Sequence, residues 1–274
     1  IENHKEITSN LYYCENGLYH GTYNKGFKDH KKHNELSFED IFTVSSNIGT
    51  IKVFEDLDKE FYYNRIKSFG FGNKTNINLP DEHHGKIWEF SHYSQNPRDL
   101  ASSTLGQSIL ATNIQMAIAY ASIANGGYIL KPQIVKKIIY NNYLEEYNSP
   151  IIVRRSMTTS TSQILLNMLE DVVSDGTGKE AYIENMDIGG KTGTAQIWNK
   201  IERRYSDNQY ISSFASIFPI SNPQYVIIIS IESPEYDKRW GGESAAPCTR
   251  NIIEEILFYD FELLNKLSIK YEIT

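Results

Sequence analysis

The amino-acid sequence predicts an α+β fold, in which an antiparallel sheet flanked by helices adjoins a helical subdomain. Helix signals dominate the first half of the chain, whereas strand signals and a covering helix fill the second half, an order typical of α+β proteins. A chain of 274 residues also has the length to bury a substantial core. We expect one domain over residues 1–274, with a helical subdomain at about residues 37–130 and a sheet subdomain with covering helices at about residues 131–274.

The helical subdomain is predicted from helix starts and stops. Ser37, with Asp40 three residues later, has the pattern of a capped helix start, and Thr112 with Gln115 repeats it. The Gly126-Gly127 pair marks a helix end. In chain order we expect loops and short strands over residues 1–36, a helix over 37–44, a break at 45–47, a second helical piece over 48–54, a helix over 58–68, a long connection over 75–100 and a helix over 112–125.

Strand patterns separated by turn residues predict the second half. Within it, the helix over residues 159–173 has Ile164, Leu165, Met168 and Leu169 on one apolar face, which we expect to be buried. The predicted elements are strands over residues 133–140 and 151–155, a helix over 159–173, a strand over 187–197, a hairpin of strands over 211–220 and 225–231, and a final helix over 244–258.

Composition and charge exclude several classes of protein. The formal net charge of -7 and the pI near 5.6 argue against a nucleic-acid surface, which needs clustered Lys and Arg. No run reaches the roughly 18 apolar residues of a membrane-spanning helix. The first residue is Ile1 rather than Met, so we expect a piece of a longer protein. Cys14 and Cys248 have no metal-ligand spacing, and two isolated thiols are favoured over a disulfide.

A short segment around Lys191 has two competing interpretations. Gly190-Lys191-Thr192 matches the end of the phosphate-binding pattern G-x-x-x-x-G-K-[ST]. That pattern needs a glycine where this chain has Asn185, and a helix where this chain continues with Thr-Gly-Thr-Ala-Gln-Ile. The second interpretation is a strand with the Lys-Thr-Gly element of penicillin-binding proteins and β-lactamases. Because the first glycine of the phosphate-binding pattern and the helix after it are both missing, the strand is favoured.

The Lys-Thr-Gly interpretation demands a Ser-x-Asn element elsewhere in the chain. Ser45-Ser46-Asn47 meets that demand, at the predicted break between two helical pieces. Three-residue strings arise by chance, and this one alone more often marks a helix break or cap. Whether Ser45-Ser46-Asn47 is a catalytic element or only a helix cap therefore depends on the rest of the sequence.

Motifs along nearly the whole chain favour the enzymatic interpretation. They are Cys14-Glu15-Asn16-Gly17, residues 36–47 leading into Ser-Ser-Asn-Ile-Gly-Thr, Phe69-Gly70-Phe71-Gly72, Leu79-Pro80-Asp81-Glu82, Gly106-Gln107-Ser108, residues 111–127, Gly176-Thr177-Gly178, residues 191–196, Gly241-Gly242 and Ala245-Ala246-Pro247. Together they resemble the class B penicillin-binding proteins, which are D,D-transpeptidases of peptidoglycan synthesis. The stretch over residues 29–33 is most similar to the septal, cell-division branch. The resemblance implies the penicillin-binding protein and β-lactamase-like transpeptidase fold, of which this chain is the C-terminal part.

The resemblance implies catalytic roles for three residues. Ser45 would relay a proton to the leaving D-alanine, and Lys191 would supply positive potential. Asn47 would hold an amide carbonyl of the stem peptide or orient a catalytic lysine. The family's nucleophile is the serine of a Ser-x-x-Lys motif, which these 274 residues do not contain. The resemblance places that motif upstream of Ile1, with the first strands of the sheet and with a membrane anchor, so the chain alone is expected to be inactive.

Three residues of the Lys191 strand are expected to bind substrate. The hydroxyls of Thr192 and Thr194 would bind the terminal carboxylate, and the backbone N–H of Thr194 would be an oxyanion donor. Gly193 would leave room for substrate to pair with the strand edge. Simple alternation, however, puts Lys191 and Gly193 on one face of the strand and both threonines on the other. These residues share a pocket only at a twisted sheet edge.

The resemblance also implies ligands, partners and a location. We expect D-Ala-D-Ala stem peptides and β-lactams as ligands, division or glycosyltransferase proteins as partners, and the periplasmic face of the bacterial inner membrane as the location. No cofactor, metal or nucleic acid is expected. His30 with His33, and His83-His84, lack a third metal ligand in a recognisable spacing, and no feature of the sequence activates the Cys14 thiol.

Two other functions stay open at this point. A related serine hydrolase, either a β-lactamase or a D,D-carboxypeptidase, would share the motifs but transfer the acyl group to water. A non-catalytic interaction module would use the same fold for contacts with a partner.

Overall fold

The computed structural model describes residues 1, 4–140, 144–147, 149–199 and 201–260. The helices are α1 (Lys5–Thr8), α2 (Phe38–Val44), α3 (Asn47–Glu55), α4 (Lys59–Ser68), α5 (Phe90–Gln95), α6 (Pro97–Ser103), α7 (Asn113–Ala124), α8 (Thr159–Ser174) and α9 (Ala245–Tyr259). The strands are β1 (Leu11–Tyr13), β2 (Leu18–Tyr19), β3 (Phe27–Lys28), β4 (Glu35–Ser37), β5 (Tyr128–Leu130), β6 (Lys137–Tyr140), β7 (Leu144–Tyr147), β8 (Ile152–Arg155), β9 (Gly189–Asn199), β10 (Arg204–Phe218) and β11 (Tyr225–Glu232).

An antiparallel sheet of three strands, in the order β11-β10-β9, forms the centre of the second half. Smaller antiparallel pairs join β1 with β4, β2 with β3, β5 with β8 and β6 with β7. Helices combined with antiparallel strands confirm the predicted α+β class. The division into two subdomains near residue 130 stays a prediction, and its last residues, 261–274, lie outside the described part of the chain.

Helices cover both faces of the central sheet. Phe214 of β10 packs on one face with Ile253 and Leu257 of α9, and we call this the α9 face. Ile217 points to the opposite face, where it packs with Leu169 of α8 and with half-buried residues of α2 and α7. We call this the α8 face. Since side chains alternate along a strand, the two faces decide the neighbours of every residue of β9.

The N-terminal helices have a hydrophobic core of their own. Phe27 of β3 is buried in it together with Ile51 and Phe54 of α3, Tyr93 of α5 and Leu100 of α6. Burial of side chains of this size is the main source of stability in a small core. The cluster fixes β3 beside α3.

The helix boundaries confirm the predicted start signals. Ser37 caps α2 in a capping box with Asp40, and Thr112 caps α7 in a second box with Gln115. The predicted break is confirmed too, since α2 ends at Val44 and α3 begins at Asn47. Local capping chemistry therefore sets the starts of α2 and α7.

Four predictions about the fold were wrong in whole or in part, the first being the loops and short strands over residues 1–36, since helix α1 also lies there. The segment over residues 75–100 is no continuous connection, because α5 lies in it and Pro97 starts α6 at a helix position that needs no N–H. The strand predicted over residues 133–140 begins only at Lys137, where its pairing with β7 begins, and β5 was not predicted. Ile164 is 44% exposed. Met168 and Leu169 lie on the buried face of α8 as predicted, together with Leu166, Val172 and Val173.

Gly127, between α7 and β5, provides a test of the packing. Its φ is +108°, and a Cβ there would lie 2.0 Å from the Met157 carbonyl oxygen. Gly106 is a matched control, because it has a φ of +79° but open space around its Cβ. In urea unfolding, we expect Gly106→Ala to cost only the strain of a positive φ, about 1–3 kcal/mol, and Gly127→Ala to cost clearly more. Equal losses would contradict the clash with Met157.

Candidate active site

The junction between α2 and α3 directs its two serines differently. Ser45 ends α2 in the left-handed region, with φ 59° and ψ 47°, which a residue other than glycine adopts at a cost of about 1–3 kcal/mol. Its side chain is exposed. Ser46 is buried and caps α3, since its Oγ accepts the Gly49 N–H at 3.0 Å. Only Ser45 is thus available to a ligand.

The loop after β3 holds this junction from outside the two helices. The Asn47 Nδ2 donates to the Lys28 carbonyl oxygen at 2.8 Å. The Asp29 carboxylate accepts the Ser46 hydroxyl at 2.7 Å and the Ile48 N–H at 3.0 Å. Lys28, the last residue of β3, and Asp29, the first residue of the loop, therefore contact three consecutive residues at the start of α3.

Lys191 lies on the α8 face of β9 and contacts Ser45. Gly189, two residues earlier on the strand, faces Leu169 of α8, which fixes the side of Lys191. The Lys191 Nζ donates to the Ser45 Oγ at 2.7 Å and lies 5.7 Å from the ring centroid of Phe42. The side chain is half-buried, and burial lowers the pKa of its ammonium to about 8. In the described part of the chain, no carboxylate forms an ion pair with this ammonium.

Thr192 and Thr194 lie on the α9 face, away from the Lys191 side chain, as alternation predicts. The Thr192 Oγ1 lies 2.8 Å from the Thr177 Oγ1, and the Thr194 Oγ1 accepts the Gly241 N–H at 3.0 Å. β9 pairs with β10 along one edge, and its other edge pairs with no strand among the described residues. Along that second edge, no described strand pairs with the backbone groups of β9.

Gly193 is closely packed on both faces of β9. On the α8 face, a Cβ at Gly193 would lie 2.5 Å from the Ser213 Oγ of the neighbouring strand. On the α9 face, a Cβ at Gly241 would lie 2.6 Å from the Gly193 carbonyl oxygen. The two glycines therefore allow close packing within the protein, whatever room they leave for a ligand.

Sequence reasoning missed the contacts that hold the motifs in place. Thr177 bridges α2 and β9, because its N–H donates to the Thr43 carbonyl at 3.3 Å while its hydroxyl contacts Thr192. His30 packs on Trp240, with ring centroids 4.3 Å apart, so the loop after β3 contacts the loop before α9. Thr177 and the Gly241-Gly242 pair belong to the matched motifs, but the motifs did not predict which residues they contact.

The remaining candidate residues add no second site within the described ranges. His83 and His84 are exposed, and no group of three or more His, Cys, Asp or Glu side chains there could hold a metal ion. Cys14 is buried, and burial raises the pKa of its thiol. Cys14 and Cys248 are free thiols, which confirms their predicted isolation. None of the described helices has the length and apolar character to cross a membrane.

Comparisons with known proteins show the family of this chain. Residues 1–254 match the family model described as penicillin binding protein transpeptidase domain. The chain is 33% identical over 250 residues to a peptidoglycan D,D-transpeptidase FtsI homolog of Mesostigma viride, covering 86% of this chain and 42% of that protein. It is 33% identical over 228 residues to stage V sporulation protein D of Bacillus subtilis, covering 82% of this chain and 34% of that protein.

Solved structures show the same fold. Penicillin binding protein 3 of Mycobacterium tuberculosis, complexed with aztreonam, has a TM-score of 0.76 and 30% identity, over 85% of this chain and 54% of that chain. The transpeptidase domain of penicillin-binding protein 3 of Burkholderia pseudomallei has a TM-score of 0.79 over 97% of this chain and 75% of that chain, at 23% identity. The chain spans less than half of the length of the two curated relatives. These matches confirm the resemblance found in the sequence, and the chain belongs to the penicillin-binding protein transpeptidase family.

Proposed function

We propose that these residues form part of the active site of a peptidoglycan D,D-transpeptidase, which cross-links stem peptides through a serine acyl-enzyme. The observation that carries the proposal is the 2.7 Å contact between the Lys191 Nζ and the Ser45 Oγ. This contact joins two motifs that lie 146 residues apart in the sequence. Relatives named peptidoglycan D,D-transpeptidases support the assignment.

Ser45 would act as a proton relay and not as the nucleophile. Acyl transfer at a D-Ala-D-Ala terminus needs an activated serine, a proton for the leaving amine and an oxyanion hole. The Ser45 Oγ accepts a hydrogen bond from the Lys191 Nζ, so the proton of the Ser45 hydroxyl is available for the leaving D-alanine nitrogen. Since these 274 residues hold no Ser-x-x-Lys, the proposal requires a nucleophile from a segment outside them.

Lys191 would attract the negative charge of the substrate. Its half-buried ammonium has lost part of its hydration, and no carboxylate of the described residues compensates for that loss. The terminal carboxylate of a stem peptide, or that of a β-lactam, would supply the missing negative charge. The uncompensated positive charge of Lys191 therefore favours an anionic ligand next to Ser45.

Substrate would lie along the free edge of β9, by strand addition. The Thr194 N–H would then be an oxyanion donor. The Thr194 hydroxyl accepts from Gly241, so its own proton stays available to a carboxylate. The hydroxyl pair of Thr192 and Thr177 uses one of its two protons internally, which leaves the second for the same ligand. Both threonines can therefore bind an anion although they face away from Lys191.

Asn47 would contribute through the part of its amide that the protein leaves open. One Nδ2 proton is bound by the Lys28 carbonyl. The second proton and the amide oxygen would contact an amide of the stem peptide or orient the lysine of the Ser-x-x-Lys motif.

Family membership supports wider proposals about the full-length protein. It would bind D-Ala-D-Ala stem peptides and β-lactams, and penicillin binding protein 3 of Mycobacterium tuberculosis has been solved with aztreonam and with ampicillin. It would act at the periplasmic face of the inner membrane with division or glycosyltransferase partners. The FtsI name of one relative supports the septal branch.

A fluorescent penicillin tests the proposed function. We expect stoichiometric covalent labelling of the full-length protein that joins these residues to a Ser-x-x-Lys motif, and no labelling of the 274-residue chain, which lacks that motif. Labelling of any serine in the chain alone, or none in the full-length protein, would overturn the proposal. Adduct lifetime separates the alternatives, since a transpeptidase keeps the adduct whereas a β-lactamase releases it to water rapidly.

Titration of Lys191 should limit acylation at alkaline pH. With the pKa lowered to about 8, the ammonium predominates below that pH and is lost above it. In stopped-flow labelling of the full-length protein, we expect the acylation rate constant to fall as the pH rises through about 8. Lys191→Arg should keep its acylation rate constant at high pH, because guanidinium stays protonated. Lys191→Ala should slow acylation about 10²–10³-fold. If the acylation rate constant of Lys191→Arg still falls above about pH 8, the titrating group is not Lys191.

Variants at Gly193 and Ser213 test whether Gly193 is needed for internal packing alone or also leaves room for substrate. Gly193→Ala should lower Tm, because the methyl group would lie 2.5 Å from the Ser213 Oγ. Adding Ser213→Ala should restore Tm, since the Ser213 Cβ lies 3.9 Å from that methyl position. If substrate pairs with this part of the edge, the stable double variant of the full-length protein should still acylate slowly. Recovery of both Tm and rate would show that Gly193 accommodates Ser213 alone.

A further inference from the structure

The strained backbone of Ser45 is held by contacts on either side of it. Within α2, the Ser45 N–H donates to the Phe42 carbonyl at 3.3 Å and the Ser46 N–H donates to the Ile41 carbonyl at 3.0 Å. These bonds restrain the chain up to the junction. A left-handed residue other than glycine persists only where its surroundings over-determine it, so the residue after Ser45 must be restrained as well.

A single carboxylate provides that second restraint. The Asp29 Oδ2 accepts the Ser46 hydroxyl at 2.7 Å, and its Oδ1 accepts the Ile48 N–H at 3.0 Å. The same Ser46 hydroxyl accepts the Gly49 N–H at 3.0 Å. A negative charge at this position is also favoured by the N-terminal end of α3. Asp29 thus binds the middle residue of the Ser-x-Asn motif and the first turn of the helix that follows it.

Asp29 is itself held rigidly. Phe27, two residues earlier, is buried against α3. The Asp29 N–H donates to the Gly17 carbonyl at 3.3 Å, and the preceding Lys28 carbonyl binds the Asn47 side chain at 2.8 Å. The next residue, His30, packs on Trp240. The carboxylate is therefore a fixed anchor and not a mobile surface group.

From these contacts we propose that Asp29 is a positioning residue of the active site, which acts through the Ser46 hydroxyl to hold Ser45 against Lys191. The inference rests on the proposed function. The alternative is a carboxylate that only caps α3. The two differ in a measurable way: a cap affects folding alone, whereas a positioning residue affects the step in which Ser45 and Lys191 act together.

The test uses the full-length protein and a fluorescent penicillin, with the dissociation constant of the non-covalent complex and the acylation rate constant measured separately. We expect Asp29→Ala to lower the rate constant about 10- to 100-fold, the loss typical of a small misplacement of reacting groups, with little change in the dissociation constant. Asp29→Asn, which keeps the shape, should lose less. Asp58→Ala is the matched control, because Asp58 caps α4 by accepting the Phe61 N–H at 2.6 Å, away from the Ser-Ser-Asn junction.

A double-variant cycle separates positioning from capping. If Asp29 acts through the Ser45–Lys191 pair, Asp29→Ala should cost almost nothing further in a Lys191→Ala background. Additive losses, or an Asp29→Asn protein as active as Asp58→Ala at equal Tm, would overturn the inference while leaving the proposed function intact. Absence of labelling in the wild-type full-length protein would overturn both. If Asp29→Ala does not fold, the same double-variant cycle is measured with Asp29→Asn and Lys191→Ala, and the same outcomes apply.

Discussion

The hydrogen bond between the Lys191 Nζ and the Ser45 Oγ joins the sheet to the C-terminal end of α2, and the proposed chemistry depends on it. Each end of this bond is fixed by separate means. Lys191 points to the α8 face because Gly189, on the same face, packs against Leu169. Ser45 reaches it because α2 ends in a left-handed residue, which turns the chain sharply between two helices. A shift of either element would break the contact, so the packing of α2 on the α8 face is a condition for any chemistry here.

The strand β9 is constrained on both faces at once, and this leaves its edge as the accessible surface. On the α9 face, Thr194 binds the backbone of the loop before α9 and Thr192 binds Thr177. On the α8 face, the hydroxyl of Ser213 occupies the space that a side chain at Gly193 would need. Because side chains and loops pack on both faces, an extended ligand would pair with the edge of β9 that no described strand occupies. The Thr194 hydroxyl accepts the Gly241 N–H and keeps its own proton free, which suits an anion at that edge.

The sequence predicted the features that depend on local chemistry. The capping pairs Ser37 with Asp40 and Thr112 with Gln115, and the break at Ser-Ser-Asn, follow from residues three or four apart. Alternation likewise predicted that Lys191 and the two threonines face opposite ways. The contact of Asp29 with Ser46 could not be predicted, since it depends on β3 packing beside α3 across 17 positions of sequence. Ile164 was misplaced for a similar reason: several apolar residues of α8 compete for one buried face, and only the packing against the sheet selects Leu166 and Leu169.

The electrostatics of Lys191 argue that the chain gives up stability at this site. A half-buried ammonium with a hydroxyl partner and no carboxylate of the described residues is destabilising relative to an apolar side chain of similar size. The lowered pKa of Lys191 has the same cause, because burial favours the neutral amine. A carboxylate beside Lys191 would relieve this cost, but it would also cancel the positive potential at Ser45. An uncompensated charge next to a strained serine is thus costly for folding and useful for an anionic ligand, which is the trade-off expected of a binding or catalytic site.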